Sequence, residues 1–369
     1  MNKSLFVGDN LRVARLLSGF SLQDLGTRVG TTRQYIQQLE TTDKSPADDL
    51  LNALAYELKV NKRFFQKPLG SLVKDEECHF RKLATVPISS VRECTARATL
   101  VNKLAESLNR LLELPDVNFP SIDVQSKAEA EDAAQECRRY WKLGQGPIKS
   151  VARVIEHAGG VITTFGSVSE KVDALSLFRE RPIVVLNPNK SRPRLRFDLA
   201  HELGHIVMHK GIESGDHGQE DEANHFASCF LLPRHVLVQE YQPQERIDWQ
   251  KIYDLKVTWG VSARAIIYSL NQLQLITPSQ FRTANVYLSK TGQTKSEERD
   301  SEVHEERAEL LENALQLLIQ EYGSSLGGLL DDMGISMEFL AELTQLAHLL
   351  EPLAPDPSDH KVVSLFRNR

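Results

Sequence analysis

The chain has 369 residues, 41% of them hydrophobic, which is enough for two or three domains with packed cores. Its net charge of -6 excludes a protein that is basic throughout, although a local basic surface can still bind nucleic acid. The four cysteines lack a CxxC pair, so we expect neither disulfides nor a cysteine zinc site. The sequence shows no apolar core of a signal peptide and no apolar run long enough to span a bilayer. We therefore expect a cytoplasmic protein without membrane contact.

Residues 8–68 predict a compact unit of short helices. Ser21 can cap the second helix, and Gly30 suits the left-handed backbone at its end. A third helix in TRQYIQQLE follows this tight turn, an order that is typical of a helix-turn-helix DNA-binding domain. Residues 1–70 carry ten Lys and Arg against seven Asp and Glu, a net charge of +3, which has the sign that DNA binding requires.

The third helix is expected to present side chains that suit base edges in the major groove, since arginine pairs with guanine and glutamine with adenine. FSLQDLGTRVGTTRQYIQQLE resembles the Cro/cI-type (Xre) repressors, with Gly26 where alanine is usual. The resemblance implies a double-stranded DNA operator and a homodimer; a helical bundle for protein contact is the alternative. The expected DNA-binding residues are Gln23, Arg28, Thr32, Arg33, Gln34, Gln37 and Lys44.

The rest of the chain predicts helices around one group of strands. Residues 69–125 read as a helical linker, and 126–285 combine helices with the β-branched segments GGVITTF, ALSLF and RPIVVLNP. After a polar hinge, 286–369 form a helical C-terminal region to which we assign no role. The predicted fold class is therefore multidomain and mainly α, with an all-α N-terminal domain and an α+β domain that contains a small β-sheet.

The stretch DLAHELGHIVMH carries the most specific chemical signal. On a helix, His201 and His205 share one face and can hold a zinc ion, while Glu202 can face the metal's water as a general base. This HExxH arrangement predicts metal-assisted hydrolysis. An exposed helix that carries these residues by chance is the plain alternative, but the apolar neighbours indicate burial, where unpaired His and Glu are costly.

A catalytic zinc needs a third protein ligand, and QEDEANHFASCFLLP is the expected source. We favour Glu220, which shares a face with the core positions of this helix, and Glu222 is the competitor. Asn224 lies one turn beyond Glu220 and can orient a ligating histidine by a hydrogen bond. A structural zinc site would need a fourth ligand from His209, His217 or His225.

RLRFDLAHELGHIVMH followed by EDEANHFASCFLLP resembles the ImmA/IrrE family of bacterial zinc metallopeptidases, over roughly residues 130–280. The resemblance implies a gluzincin-like site with His201, His205 and Glu220 as ligands and Glu202 as catalytic base. It also implies a protein substrate, which we expect to be a repressor. The strand from Ala174 to Phe178 is expected to form the edge of the cleft and to take a substrate as an added β-strand. The alternative function is a regulator that uses the metallopeptidase fold as a sensor or scaffold, without proteolysis.

Overall fold

The computed structural model describes residues 6–74, 77–82, 88–164, 172–210, 217–320 and 323–350. This part of the chain is mainly helical with one small β-sheet, which confirms the predicted fold class. The helices are α1 (Gly8–Leu17), α2 (Leu22–Arg28), α3 (Arg33–Thr41), α4 (Asp48–Glu57), α5 (Ile88–Leu111), α6 (Lys127–Tyr140), α7 (Val151–His157), α8 (Arg192–Met208), α9 (His217–Leu231), α10 (Arg234–Glu240), α11 (Trp249–Trp259), α12 (Ala263–Gln272), α13 (Pro278–Lys290), α14 (Leu310–Gln320), α15 (Gly323–Met333), α16 (Met337–Thr344) and α17 (Ala347–Leu350). The strands are β1 (Cys78–Lys82), β2 (Val161–Thr164), β3 (Val172–Phe178) and β4 (Pro182–Leu186).

Local capping signals set the first helices. Ser21 and Asp24 form a reciprocal capping box at the start of α2, and Thr32 caps α3 through the amide of Tyr35. Gly30 has a φ of +69°, the left-handed conformation that the sequence suggested. A Cβ on Gly26 would lie 3.0 Å from the carbonyl oxygen of Thr31, so a glycine at this position relieves a tight approach of the turn to α2.

The sheet has the strand order β1-β3-β4-β2, with β3 antiparallel to both of its neighbours and β2 parallel to β4. The expectation that Ala174 to Phe178 form a free edge for an added strand is wrong, because β1 occupies that side of β3. His79 is the register partner of Ser176. The sequence analysis did not predict β1, which lies inside the expected helical linker.

The sheet separates two hydrophobic cores. Side chains alternate along a strand, so successive residues face opposite sides. Leu175, Leu177 and Val185 face a core built from the N-terminal helices, α5 and α14–α17. Ala174 and Val184 face the second core, which contains α6 to α13. The C-terminal helices α14–α17 therefore pack in one core with the N-terminal helices, a placement that was not expected from the sequence.

The polar segment after α13, which the sequence suggested as a hinge, is held by buried ion pairs. Lys256 on α11 is fully buried and lies 3.0 Å from Glu297 and 2.6 Å from Asp300. Further along, Arg196 on α8 pairs with Glu306, whose carboxylate also accepts backbone N–H groups at the start of α7. These contacts fix the connection between the two cores.

Candidate metal centre

Helix α8 places the HExxH residues deep in the second core. His201 and Glu202 have no exposed surface, and His205 is also buried. Close packing of α9 against α8 depends on Gly204, because a Cβ there would lie 3.1 Å from the ring of Phe226 and 3.4 Å from the Cα of Ala223. The small residue thus allows the two helices to approach each other.

Three side chains converge at the contact between α8 and α9. The Nε2 atoms of His201 and His205 are 3.1 Å apart, and the carboxylate of Glu220 lies 3.5 Å from the first and 3.4 Å from the second. Ligands on a tetrahedral zinc with bonds of 2.0–2.1 Å are about 3.3 Å apart. The two imidazoles and one carboxylate therefore have the spacing and the donor types that a zinc ion requires, and they leave a fourth position for water.

Each histidine is oriented by a hydrogen bond at its other ring nitrogen. Asn224 Oδ1 lies 3.2 Å from His201 Nδ1, which directs Nε2 of that ring toward the ligand cluster. His205 Nδ1 lies 2.9 Å from His209 Nδ1, and His209 Nε2 lies 3.0 Å from Glu222. The structure thus places Glu220 at the cluster, whereas Glu222 ends a chain of contacts behind His205.

The carboxylate of Glu202 points toward the sheet. Its Oε2 accepts a hydrogen bond from the hydroxyl of Ser176, a fully buried residue of β3. Sequence reasoning singled out Ser176 only as a strand position. The signal that was available is a lone hydroxyl in the apolar run ALSLF, which is costly to bury unless it has a hydrogen-bond partner.

The protonation states of His205 and Glu220 suit the binding of a metal cation. Burial lowers the pKa of His205 to about 4, so its imidazole is neutral near pH 7 and Nε2 keeps its lone pair. Burial alone would raise the pKa of Glu220, but hydrogen bonds and charge from His201 and His205 outweigh it and hold this pKa well below its usual value. The carboxylate is therefore ionised at neutral pH.

The residues expected to bind DNA lie on the surface of α2, α3 and the following loop. Arg33, Gln34 and Gln37 are exposed along α3. Other expected contacts are engaged within the chain: Arg28 stacks on Phe20 with 4.6 Å to the ring centroid. Three further residues that were expected to contact DNA also have partners within the chain. Thr32 caps α3, the side chain of Gln23 donates a hydrogen bond to Thr27, and the amino group of Lys44 lies 2.7 Å from the side-chain oxygen of Gln38.

A buried ion pair that the sequence analysis missed fixes α3 to α1. Arg15 makes two parallel contacts with Glu40, of 2.6 and 2.9 Å, and both side chains are almost completely buried. The bidentate geometry holds the axis of α3 relative to α1. No short-range pattern in the sequence joins these two positions.

Comparison with known proteins agrees with this geometry. Residues 155–271 match the peptidase family model described as the IrrE N-terminal-like domain, a range that contains His201, Glu202, His205 and Glu220. The chain is also similar to the propionyl-CoA carboxylase regulator of Cereibacter sphaeroides, at 22% identity over 74% of this chain and 66% of that protein. One segment of this chain is thus similar to a peptidase family, and the chain is similar to a protein that is named as a regulator. Within the described residues, no helix is both long and apolar enough to cross a membrane.

Proposed function

We propose that this protein is a DNA-binding transcriptional regulator with a zinc-dependent endopeptidase centre that cleaves a protein substrate, such as a repressor. The proposal of hydrolysis rests on the position of Glu202. Its side chain is buried next to His201 in the sequence and does not belong to the three-ligand cluster. A zinc site that only stabilises the fold needs no such base. The match of residues 155–271 to a peptidase family model supports the same proposal.

Each residue of the centre has a separate role in the proposed hydrolysis. His201, His205 and Glu220 would hold the zinc ion, which when bound supplies Lewis-acid activation of water. Glu202 accepts the proton of the attacking water and returns it to the leaving amine. The hydroxyl of Ser176 donates to Glu202 and thereby fixes the direction of its carboxylate. Asn224 and His209 keep the two imidazoles in the tautomer that leaves Nε2 available.

The DNA-binding part of the proposal rests on α2 and α3. They are joined by a tight turn at Gly30, and the exposed face of α3 carries Arg33, Gln34 and Gln37. An arginine and two glutamines on one exposed helix suit direct contact with bases in a major groove. We propose that α3 is the recognition helix and that the protein binds a two-fold symmetric operator as a homodimer.

The proteolytic part is tested with Glu202→Gln. This change keeps the shape of the side chain but removes the proton acceptor, so we expect hydrolysis to fall by about 10²–10⁴-fold with zinc content unchanged. The assay is cleavage of a peptide library, read by mass spectrometry, with Glu180→Gln as an exposed control of the same chemistry. Cleavage by Glu202→Gln at the wild-type rate would refute the proposed base.

The DNA-binding part is tested with Arg33→Ala and Gln34→Ala. Operators selected from random DNA by the wild-type protein should bind each variant more weakly, by about 1–3 kcal/mol per lost base contact. Tyr56→Ala on α4 changes an exposed side chain of the same unit and serves as the control. Equal affinity of all three variants for the selected DNA would show that α3 is not the recognition helix.

A second candidate is a regulator without proteolysis, in which the centre acts as a sensor or scaffold. Two observations favour it: the relative from Cereibacter sphaeroides is named as a regulator, and β1 pairs along the side of β3 that an added substrate strand would use. The same variant separates the candidates. If Glu202→Gln regulates its target genes as the wild type does and neither protein cleaves peptides, the second candidate is correct.

A further inference from the structure

A second group of metal-binding side chains lies between α6 and α9, outside the centre described above. It consists of Glu131 on α6 and of His225 and Cys229 on α9, and one ligand atom from each lies within 4.8 Å of the other two. His225 and Cys229 are four residues apart, so they share one face of α9. Asn224, the residue that orients His201, faces α8 instead. The two groups of side chains thus use different faces of the same helix.

Two of the three ligand–ligand distances are within about 0.3 Å of those around one tetrahedral ion. Cys229 Sγ lies 3.7 Å from His225 Nε2, and His225 Nε2 lies 3.6 Å from Glu131 Oε2. With zinc–sulfur bonds of about 2.3 Å and zinc–nitrogen or zinc–oxygen bonds of about 2.0–2.1 Å, tetrahedral ligands are separated by about 3.6 Å for sulfur–nitrogen and about 3.3 Å for nitrogen–oxygen.

All three side chains also line one cavity of about 890 Å³. Three protein ligands leave one position of a tetrahedral ion open to a further ligand. Five cationic side chains line the same cavity against three carboxylates, one of which is Glu131, so the balance of charge favours an anion as the fourth ligand. We propose that Glu131, His225 and Cys229 bind a second Zn²⁺ ion, whose open position faces this cavity.

One neighbouring charge competes with a metal ion at this site. Arg234 Nη1 lies 3.2 Å from Glu131 Oε2, the same oxygen that faces His225. Binding of the ion therefore requires the guanidinium to move to the other carboxylate oxygen or into solvent. Since the side chain of Arg234 is about one-third exposed, that movement is open to it. Removal of this cation should consequently tighten metal binding.

The site can be distinguished from the His201–His205–Glu220 centre by its sulfur ligand. Cobalt bound by a thiolate shows near-ultraviolet charge-transfer absorption, which a centre of two imidazoles and a carboxylate cannot produce. We therefore expect metal-free protein titrated with Co²⁺ to develop this absorption and to bind two ions per chain. His201→Ala should lose one ion and keep the absorption, so the result does not depend on the proposed peptidase centre.

The variants of the second site give the opposite pattern. Cys229→Ser and His225→Gln should each bind one Co²⁺ fewer and lose the absorption. Cys78→Ser, Cys94→Ser and Cys137→Ser are the matched cysteine controls and should keep it. Arg234→Ala should raise the Co²⁺ affinity of the thiolate site. Circular dichroism separates a lost site from an unfolded variant, and His225→Gln, at a partly exposed residue, is the safer of the two for folding.

The proposal is overturned by two results. One is the absence of thiolate absorption in wild-type protein with excess Co²⁺, together with a single Zn²⁺ per chain. The other is absorption that persists in Cys229→Ser but disappears in one of the three cysteine controls, because the thiolate would then belong to another site.

Discussion

At the residue scale, His209 and Glu222 explain how His205 is held, although neither belongs to the three-ligand cluster. His205, His209 and Glu222 form a chain of contacts of 2.9 and 3.0 Å behind the cluster. Such a chain fixes the tautomer of the ligating ring and increases its basicity. The sequence analysis considered both residues only as competing ligands, because spacing along a helix does not show which ring nitrogen a neighbour will contact.

We therefore predict that His209→Ala lowers zinc affinity by about 10- to 100-fold while all three ligands stay in place. Glu222→Gln, at a partly exposed position, should have a smaller effect in the same direction. The measurement is zinc competition with a chelator of known affinity, and His235→Ala on the surface of α10 is the control. Unchanged zinc affinity in both variants would show that His209 packs against His205 without strengthening the binding of zinc.

Burial of His205 also predicts a pH dependence of the metal-free protein. Burial lowers the pKa of His205 to about 4, whereas the unfolded chain takes up this proton near pH 6.5. Between these values the unfolded state binds more protons, so the free energy of unfolding decreases as the pH falls from 6.5 to 4. We expect urea unfolding midpoints of metal-free protein to fall over this window, and less steeply in His205→Gln. An equal slope in both proteins would contradict the assignment.

At the element scale, the helices could be predicted from the sequence and part of the sheet could not. Ser21, Thr32 and Gly30 are local signals, and the structure uses them as the ends of α2 and α3. The segment CHFRK of β1 alternates between apolar and polar residues over only four positions, which is too short for a clear strand signal, and its partner β3 lies far along the chain. Pairing over such a distance leaves no local signal that identifies the partner strand.

The position of β1 gives a prediction about access to the centre. A substrate that adds to β3 as a strand needs the backbone groups that β1 occupies, beside Ser176 and Glu202. Proline in β1 removes an N–H group, and N–H groups alternate between the two sides of a strand. Of the neighbouring residues His79 and Phe80, one directs its N–H group toward β3 and the other directs it away. We expect proline at the first position to break the ladder and raise peptide hydrolysis, and proline at the second position to serve as its control.

Hydrogen exchange at the amides of β3 identifies which of the two proline variants opens the ladder. That variant should also be the one with the higher rate of hydrolysis. Faster exchange in β3 without any gain in hydrolysis would mean that substrates do not bind along β3.

At the scale of the whole molecule, the two cores share the sheet, and this arrangement could not be read from the sequence. Helical periodicity in 286–369 shows that those helices have an apolar face but not what the face covers. In the structure Arg97 of the buried helix α5 donates to the carbonyl groups of Glu342 and Leu343 at the end of α16. The C-terminal helices thus contribute to the stability of the segment that carries α3.

The core that the C-terminal helices share with α3 leads to a prediction about stability. Leu340 on α16 is fully buried in the core that also contains Ile36 and Leu39 of α3. Leu340→Ala should lower the free energy of unfolding by about 2–5 kcal/mol, whereas Leu317→Ala, at a 37% exposed position of α14, should have little effect. Because the core is shared, hydrogen exchange at the amides of α3 should accelerate in Leu340→Ala and operator affinity should fall. If exchange in α3 stayed at the wild-type rate while α16 opened, the N-terminal helices would be stable without the C-terminal region.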